Sequence, residues 1–202
     1  MGRRTREEAA KTRKRLLDVS AELFSIRGVD GVTLVEIGRE AGFTKGALYR
    51  HFGGKAGLLL ELMDYAVDIV DRIEESTLSG EGPPLERLST MAREEISIFE
   101  ESENARRLFS IFLDRRSLVE DERVLLAIEG MRERTLGRME KALTEARGAG
   151  DISRSVNLRA AAESLRFLIF GLMERSLYSS NPFSPSSMVG PMLDLYFRGL
   201  VD

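Results

Sequence analysis

The chain has 202 residues, 33 of them acidic and 30 basic for a formal net charge of −3, with one histidine and no cysteine. Disulfides and thiolate metal sites are excluded, a transition-metal site would need carboxylates almost alone, and the length suits one or two domains with a real core. Without an apolar leader segment or a run of about 18 apolar residues, the expectation is a soluble, cytoplasmic protein with no membrane partner and no cofactor.

Apolar residues recur at helical spacing throughout, and strand formers are never grouped between turn signals, so the expected fold is all-α with about nine helices. The first should run from about residue 7 to 26, with Leu16, Leu17, Val19, Leu23 and Phe24 as its apolar stripe and Gly28 as its stop. "TLVE" then reads as a capping box, Thr33 at the N-cap and Glu36 three residues on, opening a second helix that ends near Ala41 and turns at Gly42. Thr44 is a second N-cap, for a third helix reaching only about His51 or Phe52 before "GGK" breaks it. A fourth helix carries Leu58, Leu59, Leu62, Met63, Ile69, Val70 and Ile73 to about Thr77.

"LSGEGPP", residues 78–84, is the strongest linker signal in the chain. Helices are expected beyond it at about 85–101, 104–116 and 119–147, the last roughly 40 Å long at about 1.5 Å per residue. Two more follow, at about 157–179 around "LRFLIFGLM" and at about 185–200 after "NPFSP". The acidic stretch at 94–103 reads most simply as a solvated helix face.

Charge is divided unevenly along this series. Residues 1–55 hold 12 Lys and Arg against 7 Asp and Glu, net +5, and the remainder carries −8. A basic region facing a polyanion and an acidic region with other business is one reading, chance clustering the other. The second and third helices favour the first reading, because they make a helix-turn-helix. Ile37, Ala41, Phe43, Leu48 and Phe52 supply a small apolar wedge, Gly38 permits close helix crossing, and Gly42 makes the turn. Thr44, Lys45, Gly46, Tyr49 and Arg50 are left on the start and outer face of the third helix, the part of a recognition helix that meets base edges in the major groove. Helix N-termini at Thr33 and Thr44 also offer N–H donors to phosphates. Each residue has a plainer role open to it: a cap for the threonines, a structural hydrogen bond for His51, a surface cation for Lys55. A basic arm of Arg3, Arg4, Arg6, Lys11 and Arg13 precedes the cluster.

The segments "AELFSIRGVDGVT" and "VEIGREAGFTKGALYRHFGGKAGLL" resemble the DNA-binding domain of the TetR family of bacterial transcriptional regulators over about 45 residues. The resemblance implies a third helix in the major groove, phosphate contacts from Thr33, Thr44, Tyr49, His51 and Lys55, and base or groove contacts from Lys45, Gly46 and Arg50. Three departures stand out. Gly38 sits where that family most often has Ala, Gly53 and Gly54 replace a Ser-like cap, and Ala56 and Gly57 stand where Glu and Ala are common. The paired glycines read either as a flexible hinge between head and fourth helix or as a tight turn.

The expected organisation is therefore a helix-turn-helix domain over 1–54 and a helical effector-binding and dimerisation domain over 55–202. The last two helices are apolar on more than one face, which suits a four-helix interface between two subunits, as the resemblance also implies. Phe167, Phe170, Gly171, Glu174, Met192, Leu195 and Tyr196 are its candidates, with burial inside one subunit as the alternative. A homodimer carries two heads and so expects a near-palindromic double-stranded DNA operator. Met91, Phe99, Phe109, Phe112, Leu113, Met131 and Phe167 are candidates to line a pocket for a small apolar or amphipathic effector, core packing being the plainer role for each. Arg106, Arg107, Arg115 and Arg116 suit either an anionic head group or a solvated face. The function expected is a ligand-responsive regulator, most simply a repressor. Its rivals are a helical interaction module without DNA binding and, least favoured, an enzyme. Enzyme motifs are lacking, and Glu94 and Glu95 are adjacent on a helix, pointing about 100 degrees apart.

Overall fold

The computed structural model describes residues 6–113, 121–179 and 183–201. Among them are nine α-helices and no strand: α1 (Arg6–Arg27), α2 (Leu34–Ala41), α3 (Lys45–Phe52), α4 (Lys55–Leu78), α5 (Pro84–Glu101), α6 (Glu103–Leu113), α7 (Glu122–Ala149), α8 (Leu158–Tyr178) and α9 (Pro185–Val201). These follow the expected spans closely. Residues 114–116, expected to end α6, and the expected start of the long helix at 119 lie outside the described residues, as do Arg3, Arg4, Arg115 and Arg116.

Two compact units form. One holds the chain up to Ala66 together with Arg107–Ile128, and the other holds Val67–Arg106 together with the residues from Glu129 onward. The boundary expected at residue 54 thus falls inside the first unit, which also takes in the start of α4. Nor does the linker signal at 78–84 separate units. It joins α4 to α5 within the second unit, where Pro83 is the N-cap and Pro84 opens α5, a first-turn position whose N–H would have no intrahelical partner.

In the first unit α1 packs on α2 and α2 on α3. The shared core is made of Leu16, Phe24, Val32, Ile37, Leu48 and Leu58, with Phe52 at its edge. Gly38 does permit a close approach: a Cβ there would stand 2.8 Å from the Phe43 carbonyl oxygen, so the backbone of α2 lies directly against the turn that leads into α3. In the second unit α5, α8 and α9 pack together around Leu88, Met91, Ile96, Leu165, Ile169 and Leu193.

Candidate nucleic-acid interface

Both ends of α2 are fixed by local chemistry. The Thr33 hydroxyl accepts from the Glu36 N–H at 3.3 Å, and the Glu36 carboxylate accepts from the Thr33 N–H at 2.8 Å, completing the capping box. Arg27 adds a 2.8 Å bond to the other carboxylate oxygen. The Thr33 hydroxyl and then Arg27 hold the Glu36 carboxyl down to about 2, so the cap is ionised at any ordinary pH. At the far end Gly42 takes a left-handed φ of 79°, donating to Arg39 and Gly38, and reverses the chain into α3.

Thr44 differs from Thr33. It holds the N-cap position of α3 with extended φ and ψ of −87° and 157°, but its hydroxyl makes no capping hydrogen bond. The two threonines are therefore unequal candidates for a phosphate. Thr33 has both its hydroxyl and its N–H engaged inside the box, leaving the first-turn N–H groups of α2 to meet an anion. Thr44 presents a hydroxyl beside the first-turn N–H groups of α3.

The exposed face of α3 is formed by Lys45, Gly46, Tyr49 and Arg50, while Ala47, Leu48 and Phe52 turn into the core. Lys45 and Tyr49, one turn apart, lie with the ammonium 5.4 Å from the ring centre, so cation and aromatic plate share one patch. A Cβ on Gly46 would meet only the Thr44 hydroxyl, at 3.7 Å. Packing does not demand this glycine, and its absent side chain leaves the start of α3 open to close approach. His51 is half-buried beside the Phe52 ring, and Lys55, at the start of α4, holds its ammonium 5.9 Å above Phe24. The eight candidates thus fall on two helix caps, the outer face and last turn of α3, and the first turn of α4.

Contacts distant in sequence decide two further points. Within the basic arm, Lys11 pairs with Glu7 at 2.7 Å, and Arg13 pairs with Glu61 while lying 5.5 Å over Phe52. Arg13 is a strut between α1 and α4 rather than a spare cation. The joint after α3 is also not loose. Gly53 caps α3 with a φ of 74°, its N–H bonded to the Tyr49 carbonyl, and Gly54 follows at 141°. A Cβ on Gly57 would stand 1.8 Å from the Phe52 carbonyl oxygen, so the first turn of α4 lies directly on the end of α3. The glycines make a tight, packed turn.

In the second unit the candidate interface residues separate into two groups. Phe167 (69% exposed), Gly171 and Glu174 lie on one exposed stripe of α8 that continues to Tyr178, at spacings of four, three and four. Leu195 (71% exposed) lies on a matching stripe of α9 with Met188 and Pro191. Phe170 and Tyr196 serve the chain's own packing. The Phe170 ring lies 4.1 Å beneath the Arg166 guanidinium, and the Tyr196 hydroxyl donates to the Ala161 carbonyl at 2.8 Å, tying α9 to α8. Burial pushes the Tyr196 phenol well above its usual range. Met192 is half-buried.

Of the pocket candidates, Met91 and Phe99 are buried on α5 and Met131 is half-buried on α7, whereas Phe167 stands out to solvent. Phe109, Phe112 and Leu113 belong to the other unit. Arg106 donates to the Glu100 carbonyl at 3.1 Å.

One residue of the acidic stretch departs from the expected solvated face. Glu94 is exposed as expected, but Glu95 is 5% exposed and lies between Met91 and Phe99, one turn from each. It accepts from Arg166 at 3.0 Å. Burial, countered by Arg166 and reinforced by the nearby charge of Glu74, pushes the Glu95 carboxyl up to about 7. Glu74 is wholly buried on α4 and pairs with Arg138, which also donates to Asp71 at 2.6 Å. One oxygen of Glu74 and one of Glu95 are buried without a hydrogen-bond partner.

A basic, aromatic helix face presented by a capped helix-turn-helix, ahead of a larger helical unit, defines a DNA-binding transcriptional regulator. Residues 16–62 match the model of the bacterial regulatory proteins of the tetR family. The chain is 31% identical to the HTH-type transcriptional regulator AcrR of Shigella flexneri over 189 residues, 91% of this chain and 86% of the relative. To the HTH-type transcriptional repressor BepR of Brucella suis biovar 1 (strain 1330) it is 28% identical over 183 residues, 90% and 88% of the two chains. Among solved structures, NalD, the secondary repressor of the MexAB-OprM multidrug efflux pump in Pseudomonas aeruginosa, superposes with a TM-score of 0.82 at 28% identity, covering 97% of this chain and 98% of NalD. The chain belongs to the TetR family of transcriptional regulators. These relatives are regulators, not enzymes, and among the described residues no helix is long and apolar enough to cross a membrane.

Proposed function

We propose that the protein is a ligand-responsive repressor that grips a near-palindromic operator as a homodimer and is released by a small apolar or amphipathic effector. Residues 1–54 supply the reading head, and residues 55–202 supply effector binding and dimerisation. The observation that carries the reading is the outer face of α3: Thr44, Lys45, Gly46, Tyr49 and Arg50 are exposed together on a helix whose opposite face is buried. Lys45, Gly46 and Arg50 face base edges, while Thr44, Tyr49, His51, Lys55 and the first turn beyond Thr33 meet phosphates.

Dimerisation is supported by the exposed stripes of α8 and α9, since Phe167, Tyr178 and Leu195 are large apolar side chains left in water by a single chain. Two heads related by a two-fold axis imply half-sites of opposite orientation, about one helical turn apart or a multiple of it. Repression is supported by what BepR and NalD are named for. An effector that fits only the arrangement of heads unsuited to the operator lowers affinity by its preference between the two states.

A gel shift on the DNA flanking the protein's own gene tests the reading. Specific retardation that weakens steeply between about 50 and 200 mM salt is expected, as phosphate contacts release counterions. Failure to retard any DNA at low salt overturns it.

A further inference from the structure

We propose that Val35 is a base-reading residue of the operator interface. From the first turn of α2 it meets the 5-methyl group of a thymine at the edge of the major groove, while Arg39, one turn on, holds the neighbouring phosphate. The inference rests on the DNA-binding reading above, adds two contacts to it and names the base that one of them selects.

The placement follows from the phase of α2. Leu34, Ile37, Gly38 and Ala41 form its buried stripe. At about 100° per residue, Val35 and Arg39 stand on the Gly38 side of that stripe, and Glu36 and Glu40 on the other. The two sides have different neighbours. Glu36 is held by Arg27 at the end of α1. On the Gly38 side, a Cβ added to Gly38 would stand 3.2 Å from the Thr44 carbonyl carbon and 3.4 Å from Leu48 Cδ1, so this is the side where α3 begins. Val35 and Arg39 therefore extend onto α2 the exposed face that Thr44, Lys45 and Gly46 open on α3.

The fold itself does not call for Val35. It is 57% exposed, and among the described residues it and Tyr49 are the large apolar side chains left in water on the helix-turn-helix. A β-branched residue lowers helix propensity, and the first turn of a helix favours an acid such as Glu36. An operator supplies the missing partner. The thymine methyl is the apolar group that a base pair offers in the major groove, and a short branched aliphatic side chain meets it where a lysine or arginine would seek guanine. Arg39 is also exposed, and among the described residues no acid pairs with it. A phosphate beside the groove supplies its counter-charge. One valine among Arg39, Lys45 and Arg50 is too small an apolar surface for a protein partner, and the cations around it suit a polyanion.

The test uses the full-length protein and the duplex that the gel shift and a footprint define as its operator. Each thymine is replaced in turn by deoxyuridine, in both half-sites together, which removes the methyl and leaves base pairing intact. At one position the natural protein should lose about three- to fivefold per half-site, the worth of one buried methyl, and so roughly tenfold or more over the two. Val35→Ala should bind the natural operator about as weakly as the natural protein binds that uracil duplex. It should lose nothing further from the uracil there, and its response at every other position should be unchanged. Arg39→Ala should weaken all duplexes alike and reduce the salt slope by about one per head. Both side chains are exposed, so neither change removes a core contact. A uracil profile that is the same in the natural protein and in Val35→Ala overturns the base contact, and an unchanged salt slope in Arg39→Ala overturns the phosphate contact. A protein that retards no DNA loses the repressor reading as well, whereas one that retards its operator with the same uracil profile after Val35→Ala loses only this inference.

Discussion

The buried carboxyl of Glu95 sets a pH dependence of folding that can be worked through in advance. Its ordinary value of 4.5 is raised to about 7 in the folded chain, principally by burial. The folded state therefore holds a proton that the unfolded state has already lost between these two values. The stability linked to this group is fully present below about pH 4.5 and is lost as pH rises through 7. At about 1.4 kcal/mol per pH unit, the interval from pH 5 to pH 8 removes roughly 2–3 kcal/mol, with no allowance for solvent screening because the group is buried. Other titrating groups act over the same interval, so the quantity to measure is a difference. Urea unfolding of the natural chain and of Glu95→Gln at pH 5, 6, 7 and 8, at one fixed protein concentration, supplies it. Gln keeps an oxygen for Arg166 and cannot titrate. The stability of the natural chain relative to the variant should fall by that amount across the series, with m-values unchanged. A difference that stays constant from pH 5 to pH 8 refutes the reasoning, because Glu95 would then keep one protonation state throughout.

The two threonine caps predict opposite phenotypes. Thr33→Ala breaks the capping box and should cost about 1 kcal/mol in urea unfolding, whereas Thr44→Ala should leave stability within about 0.5 kcal/mol and weaken DNA retardation. Arg50→Ala should cost about 1–3 kcal/mol on the preferred operator and relax the choice of base, as read by competition among single-base variants of the site, while Tyr49→Ala weakens all sequences alike without changing the salt slope. Light scattering should report a particle of about twice the chain mass, and Phe167→Glu combined with Leu195→Glu should halve it with the helical circular dichroism unchanged; a dimer that survives both changes removes the α8 and α9 stripes from the interface.

Where the sequence was informative, local physics and tertiary packing agreed. Thr33 and Glu36 at capping-box spacing, Gly42 at a helix end, and prolines at 83 and 84 are nearest-neighbour signals, and the helix ends fall where they predict. The exposed face of α3 was legible for the same reason, since an eight-residue helix with one apolar side leaves little choice of phase. What could not be read were contacts distant in sequence. "GG" alone does not distinguish a loose hinge from a turn, and the approach of Gly57 to the Phe52 carbonyl decides it. Arg13 looked like part of a DNA-binding arm because its partner, Glu61, lies 48 residues away.

The acid–arginine cluster lay between these cases, for its components carried a local signal that only their meeting makes meaningful. On α5 the buried positions Leu88, Met91, Ala92, Ile96 and Phe99 keep helical phase, and Glu95 falls in that phase while Glu94 falls opposite. On α8 Arg166 falls in phase with Ala162, Leu165, Ile169 and Met173, and on α4 Glu74 sits between Ile73 and Thr77, both buried. A charged residue at an apolar phase is a fault in packing unless it has a partner, and here Glu74 is met by Arg138 and Glu95 by Arg166. The pairing is incomplete, because one oxygen of Glu74 and one of Glu95 are buried without a hydrogen-bond partner. Because removing either arginine alone would leave a carboxylate buried without its partner, the cluster is intelligible only as a set, which no single helix discloses.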